Sequence, residues 1–119
     1  MSVYGKGSKG KADRLFSLLI RFRGSCQRCS ATDNLQCAHI IRRRYNATRT
    51  DERNAWCLCA RCHWLTEEQP DEFMDLVERT VGRELYDELK HKAQAGVKAN
   101  EAFWLAECER LKTLLKEAA

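Results

Sequence analysis

Two Cys-x-x-Cys pairs, Cys26/Cys29 and Cys59/Cys62, stand about thirty residues apart in a chain of 119. Four thiolates at this spacing clamp one tetrahedral zinc, so the chain between the pairs has to return on itself. A unit of roughly forty residues buries too little apolar area to hold itself together, and the binding energy of a structural zinc is also folding energy. Four buried free thiols would not account for the paired spacing. The 38-residue stretch from Cys26 to His63 also carries His39 and Asn54, and His63 follows Cys62 directly. A zinc ribbon needs four thiolates and nothing more, which points to a second, chemically active site on the metal-stapled frame.

Length predicts one domain with a helical appendage. No run approaches the ~18 apolar residues of a membrane span. Residues 1–10 lack the apolar core of a secretory signal, and their Gly, Ser and Lys content reads as a flexible basic arm. Seven cysteines, four of them at metal spacing, suit a reducing cytoplasmic setting better than a disulfide scaffold. The net charge of +4 conceals an asymmetry: residues 1–65 hold 13 Lys/Arg and 4 Asp/Glu, whereas residues 66–119 hold 8 and 13. Positive charge therefore gathers around the cysteine-histidine stretch, where a polyanion would be met.

Leu15, Phe16, Leu18, Leu19 and Phe22 form an apolar stripe on a helix over 11–23, ended by Gly24-Ser25. Residues 34–41 read as a strand, the arginine-rich 42–53 as a loop, 55–58 as the returning strand and 60–68 as a short helix. Pro70 opens a helix to about Thr80, Gly82 breaks it before another through Gln94, and Asn100 caps a last one. There Trp104, Cys108, Leu111 and Leu115 share one face, a stripe for a core or a partner. Cys37, Cys57 and Cys108 default to apolar packing, and His91 reads as a surface residue. The expected fold is α+β and mostly helical.

Asn54 precedes the second strand and His63 opens the helix after it. That helix would carry His63 toward the end of the first strand, which holds His39. An imidazole able to take a proton near neutral pH then faces a metal held by a second imidazole, while the Asn54 amide ties the loop. Here the chain resembles the HNH endonucleases (ββα-metal, or His-Me finger, nucleases) in His39, Asn54, His63 and the string Asn54-Ala-Trp-Cys-Leu-Cys-Ala-Arg-Cys-His63. Ala38-His39-Ile40-Ile41-Arg42 and Ala47-Thr48-Arg49-Thr50-Asp51-Glu52-Arg53-Asn54 look further like phage-encoded members, including the NinG-type recombination nucleases. The resemblance covers about residues 13–80.

It implies a zinc-stapled HNH core over 11–69 with a helical extension over 70–119, acting in the host-cell cytoplasm if phage-encoded. It also implies one-metal hydrolysis of DNA phosphodiesters leaving 5′-phosphate and 3′-hydroxyl ends. His39 would be the general base, Asn54 the organiser of the hairpin and His63 a ligand of a divalent Mg2+, Mn2+, Ni2+ or Zn2+ ion. Many members place Asp or His directly before the base; here that position is Ala38. Cys37, on the strand face of His39, and Glu67, one turn after His63, are the two candidates for the second ligand. Arg42, Arg43, Arg44 and Arg49 are candidate DNA contacts, with an Arg49–Asp51 brace as the alternative for Arg49. Two other functions fit: a zinc-stabilised DNA-binding module without catalysis, and an adaptor whose acidic C-terminal helices dock a partner protein or a second copy. The DNA substrate stays open between duplex, junction, nicked and single strand.

Overall fold

Strand β1 (Leu35–His39) pairs antiparallel with β2 (Ala55–Cys59), with Cys37 opposite Cys57 and His39 opposite Ala55. In the computed structural model, which describes residues 5–119, these strands form a two-stranded sheet among helices α1 (Gly7–Arg21), α2 (Ala60–Glu68), α3 (Pro70–Thr80), α4 (Gly82–Ala93) and α5 (Glu101–Ala118). All five residues of β2 are buried. Helices cover both sheet faces, so an almost wholly apolar strand replaces the alternation of a one-sided sheet.

One core joins Ala38, Trp56 and Leu58 to Cys26, Cys59, Cys62, Leu76 and Val77 of α3. The other joins Cys57 and Ala55 to Ala12, Phe16 and Ile20 of α1 and to Trp104, Cys108 and Leu111 of α5. The expected C-terminal extension therefore shares both cores with the N-terminal half. The α5 stripe lies against α1, which removes Trp104, Cys108 and Leu111 as a surface for self-association. Each large side chain so buried contributes about 1.5–3 kcal/mol.

The expected flexible arm is corrected from Gly7 onward. Helix α1 begins there, with Ser8 and Gly10 buried, and residues 1–4 of that arm lie outside the described residues. The α1 stripe is also rotated: Ser8, Ala12, Phe16 and Ile20 recur every four residues on the buried face, while Leu18 and Phe22 are exposed. Small residues that let two helices approach carry no hydrophobic signal of their own, which misplaced the stripe.

Gly24 ends the α1 segment at φ 86, a left-handed conformation that glycine takes without strain, and Gly82 does the same between α3 and α4 at φ 81. Asn100 caps α5 by accepting a hydrogen bond from Phe103 N at 3.0 Å. Helix α4 packs through Leu89 and Ala93 on Ile41 and Tyr45 of the loop after β1. No helix among the described residues is long and apolar enough to cross a membrane.

Candidate functional site

Cys26, Cys29, Cys59 and Cys62 converge with all four sulfurs within 4.8 Å of one another, and Cys29 Sγ lies 3.7 Å from Cys59 Sγ. Sulfurs ~2.3 Å from a tetrahedral zinc sit about 3.8 Å apart, so the donor set fits zinc. The first pair turns in a knuckle where Ser30 N donates to Cys26 O at 2.8 Å and Cys26 N to Ala31 O at 2.7 Å, with Ser30 at φ 68. Gln27 fastens the knuckle to the outer edge of β2: its N–H donates to Cys57 O at 2.8 Å, and its Oε1 accepts from Cys57 N at 2.8 Å.

Burial pushes the Cys26 thiol up, but backbone hydrogen bonds from Cys59, Cys29 and Arg28 outweigh it and bring it to about 6. Burial and the neighbouring sulfurs push Cys62 up to about 12, against the pull of Arg28. Four thiolates at this spacing would repel one another, and a divalent cation among them would offset that repulsion. Arg28 donates to Cys62 Sγ at 3.5 Å and to Glu72 at 2.9 Å, tying the sulfur cluster to α3.

His39 ends β1 with its ring 5.4 Å from that of Phe16 and its Nε2 2.8 Å from the Arg49 carbonyl. A carbonyl only accepts, so Nε2 carries the proton and Nδ1 keeps a lone pair. Burial holds His39 below the ordinary histidine range, opposed by the Arg49 carbonyl, so the ring is neutral at pH 7.

Asn54 is fully buried at the other end of the loop. Its Oδ1 accepts from Ile41 N at 2.7 Å, and its Nδ2 donates to Ile41 O at 3.1 Å and Thr48 O at 3.0 Å. One amide thereby closes residues 41–54 into a fixed loop and sets where the Arg49 carbonyl stands.

His63, on the first turn of α2, meets the opposite face of β1. Its Nδ1 lies 2.7 Å from Gln36 Oε1, and its Nε2 lies 3.0 Å from Glu67 Oε1. An imidazole nitrogen and a carboxylate oxygen are both ligand types for a divalent ion, and here they lie one helical turn apart on α2. Glu67, not Cys37, adjoins His63. Cys37 lies on the α1 face because side chains alternate along β1, and burial pushes its thiol up to about 12 despite Arg23 and Arg21. The structure thus corrects Cys37 as a candidate ligand.

A cleft of about 1210 Å³ runs along β1 and takes in His39, His63, Glu67, Arg21, Lys90 and the 42–45 loop. It exceeds the ~300–1,000 Å³ of small-molecule pockets. Arg42, Arg43 and Arg44 are exposed on its rim. Arg49 is different. It is 9% exposed and forks onto Asp13 at 2.8 and 2.7 Å, with a third bond to Arg43 O at 3.0 Å. It braces the loop against α1, which corrects it as a DNA contact; Asp51 pairs instead with Arg53 and Lys92, each at 2.8 Å.

Gln36, Asp13 and Arg28 escaped the reading of the sequence. Asp13 had a signal, as the sole carboxylate side chain before Asp33 in a basic half. Gln36 had a weaker one, sharing the β1 face of Ala38. No family model matches the chain, and no curated protein or solved structure matches it either.

Proposed function

We propose that this chain is a metal-dependent DNA endonuclease or nickase built on an HNH-type ββα core. One observation carries the reading. A neutral His39, fixed through Nε2–H on the Arg49 carbonyl, lines the same cleft as the His63–Glu67 pair and a rim of exposed arginines. The groups that general-base hydrolysis of a phosphodiester requires are a proton acceptor, a cation site and anion contacts.

In this reading the Nδ1 lone pair of His39 takes the proton from the water that attacks phosphorus. Asn54 keeps the loop closed, so the Arg49 carbonyl holds the ring's orientation throughout. Arg42, Arg43 and Arg44 contact backbone phosphates without reading bases. His63 Nε2 and a Glu67 oxygen, 3.0 Å apart, would hold the divalent ion. Once bound, such an ion supplies Lewis-acid stabilisation of charge on the phosphate and the departing 3′ oxygen. Gln36 orients His63 through Nδ1–H. The products are 5′-phosphate and 3′-hydroxyl ends.

A second reading, a zinc-stabilised DNA-binding module, is favoured by one fact. Among the described residues, the four cysteines are the only group of three or more His, Cys, Asp or Glu placed to hold a metal. Supercoiled plasmid incubated with zinc-loaded protein and Mg2+, Mn2+ or Ni2+ separates the two. We expect nicking by the wild type and its loss in His39→Ala with DNA binding kept. Binding by both proteins with no cutting under any metal would leave the module as the function.

A further inference from the structure

Residues 49–55 are gripped from several sides. Asp13 of α1 holds the Arg49 guanidinium, Arg23 just beyond α1 donates to the Glu52 and Ala55 carbonyls, each at 2.8 Å, and Lys92 of α4 holds Asp51. The grip from α5 falls on the residue directly after the one that makes the His39 contact. Arg110 Nη2 donates to the Thr50 carbonyl at 2.6 Å, and Arg110 Nη1 reaches both Glu52 carboxylate oxygens at 3.1 and 3.0 Å. Glu107 accepts from the Thr50 hydroxyl at 2.6 Å and is itself held by Arg110 Nε and Nη2 at 3.1 and 3.0 Å.

Thr50 is 2% exposed, so its hydroxyl and carbonyl depend on these two residues rather than on water. The oxygen that receives His39 Nε2 belongs to the Arg49–Thr50 peptide. Its direction is set by the Arg49 and Thr50 dihedrals. Fixing Thr50 at both hydroxyl and carbonyl therefore fixes the acceptor that aims the His39 ring. Docking of α5 does not require the polar pair, because Trp104, Cys108 and Leu111 already seat the helix on α1.

We propose that Arg110 and Glu107 are positioning residues for His39, acting through Thr50 and the Arg49 carbonyl. This makes α5 a working part of the site that the nuclease reading assigns to β1 and α2, on which reading the catalytic half of the inference rests. The Asp13–Arg49 fork holds Arg49 through its side chain, and α5 holds the next residue, Thr50, through its hydroxyl and carbonyl.

The test uses the full, zinc-loaded chain with 15N-labelled histidine. Wild type should show His39 as a single Nε2-protonated tautomer in its neutral form, with slow amide exchange at Asp51, whose N–H donates to Thr48 O at 3.2 Å. The Arg110→Ala/Glu107→Ala double variant should show averaged tautomers, and exchange at that amide at least about 10-fold faster. Glu109→Ala/Lys112→Ala, which removes an exposed α5 ion pair of 3.2 Å, should change neither. Thr50→Val, removing only the hydroxyl, and Arg110→Lys carry the test if the double variant melts; each should loosen the ring in part. A single tautomer and wild-type exchange in the double variant, or in both milder ones, would overturn the proposal. In cleavage, kcat should fall about 10- to 100-fold with KM nearly unchanged. A His39→Ala protein that still cuts would sink His39 as the general base, while the NMR result would still decide the α5 clamp.

Discussion

Replacing Asn54 by alanine removes three hydrogen bonds in a place water does not reach. Thr48 O keeps a partner, since Asp51 N also donates to it at 3.2 Å. The Ile41 N–H and C=O lose their bonds to Asn54, of 2.7 and 3.1 Å. A stranded buried group costs about 1–3 kcal/mol and a lost neutral bond about 1, so Asn54→Ala should cost about 4–5 kcal/mol. That is a large part of the ~5–15 kcal/mol available to a domain. Urea unfolding in the presence of zinc, followed by tryptophan fluorescence, measures it, because Trp56 is 1% exposed.

Asn54→Asp sharpens the test. It keeps an acceptor for Ile41 N–H but turns a second oxygen toward the Ile41 and Thr48 carbonyls. Buried there, the new carboxyl has its folded pKa raised above the usual ~4. Its protonated form can donate, so the stability it contributes is present below the unfolded pKa and lost as pH rises through the folded one. Asn54→Asp should therefore gain on Asn54→Ala between about pH 7 and pH 4. A loss below about 1 kcal/mol for the alanine variant, or no such pH gain for the aspartate, would refute the loop-closing role of this amide.

Three further outcomes are expected. Because burial lowers the pKa of His39, its neutral form persists below the ordinary ~6.5, and the acid limb of a plasmid-nicking pH profile should lie below that value; its stability contribution is likewise present above ~6.5 and lost as pH falls through the folded pKa. Arg49→Ala should cost about 3 kcal/mol in denaturant titration, through the stranded Asp13 carboxylate. Arg42→Ala and Arg44→Ala should instead leave stability nearly unchanged and reduce the salt dependence of DNA binding by about one counterion each. A strong chelator, or Cys26→Ser, should lower Tm by more than about 20 °C and loosen α3 as well as the knuckle, since both belong to one core; circular dichroism melts with and without chelator measure this.

How much of the molecule was legible beforehand depended on how local its causes are. The helix at 60–68 and the one opening at Pro70 run as read, because a proline at the first turn and acidic residues beside it act within a few residues. The four-cysteine cluster was legible for a related reason, as two short spacings prescribe the same tetrahedral geometry wherever the chain brings them together. The closing of the loop by Asn54 was readable in kind, though not in its partners, since which carbonyls an amide reaches depends on the path of residues it does not adjoin.

Long-range charge pairing could not be read from the chain. Arg49 resembles its neighbours Arg42–Arg44 in sequence, yet a carboxylate 36 residues away turns it inward as a brace. Cys37 and Glu67 were equal candidates beside His63 until the faces of β1 separated them. The last helix looked like an appendage because its stripe names no partner; tertiary packing set it on α1 and brought Arg110 to the Thr50 carbonyl. Spacing along the sequence determined the four-cysteine cluster and the order of elements. The sides on which side chains meet were decided only when helices from both ends of the chain closed over a two-stranded sheet.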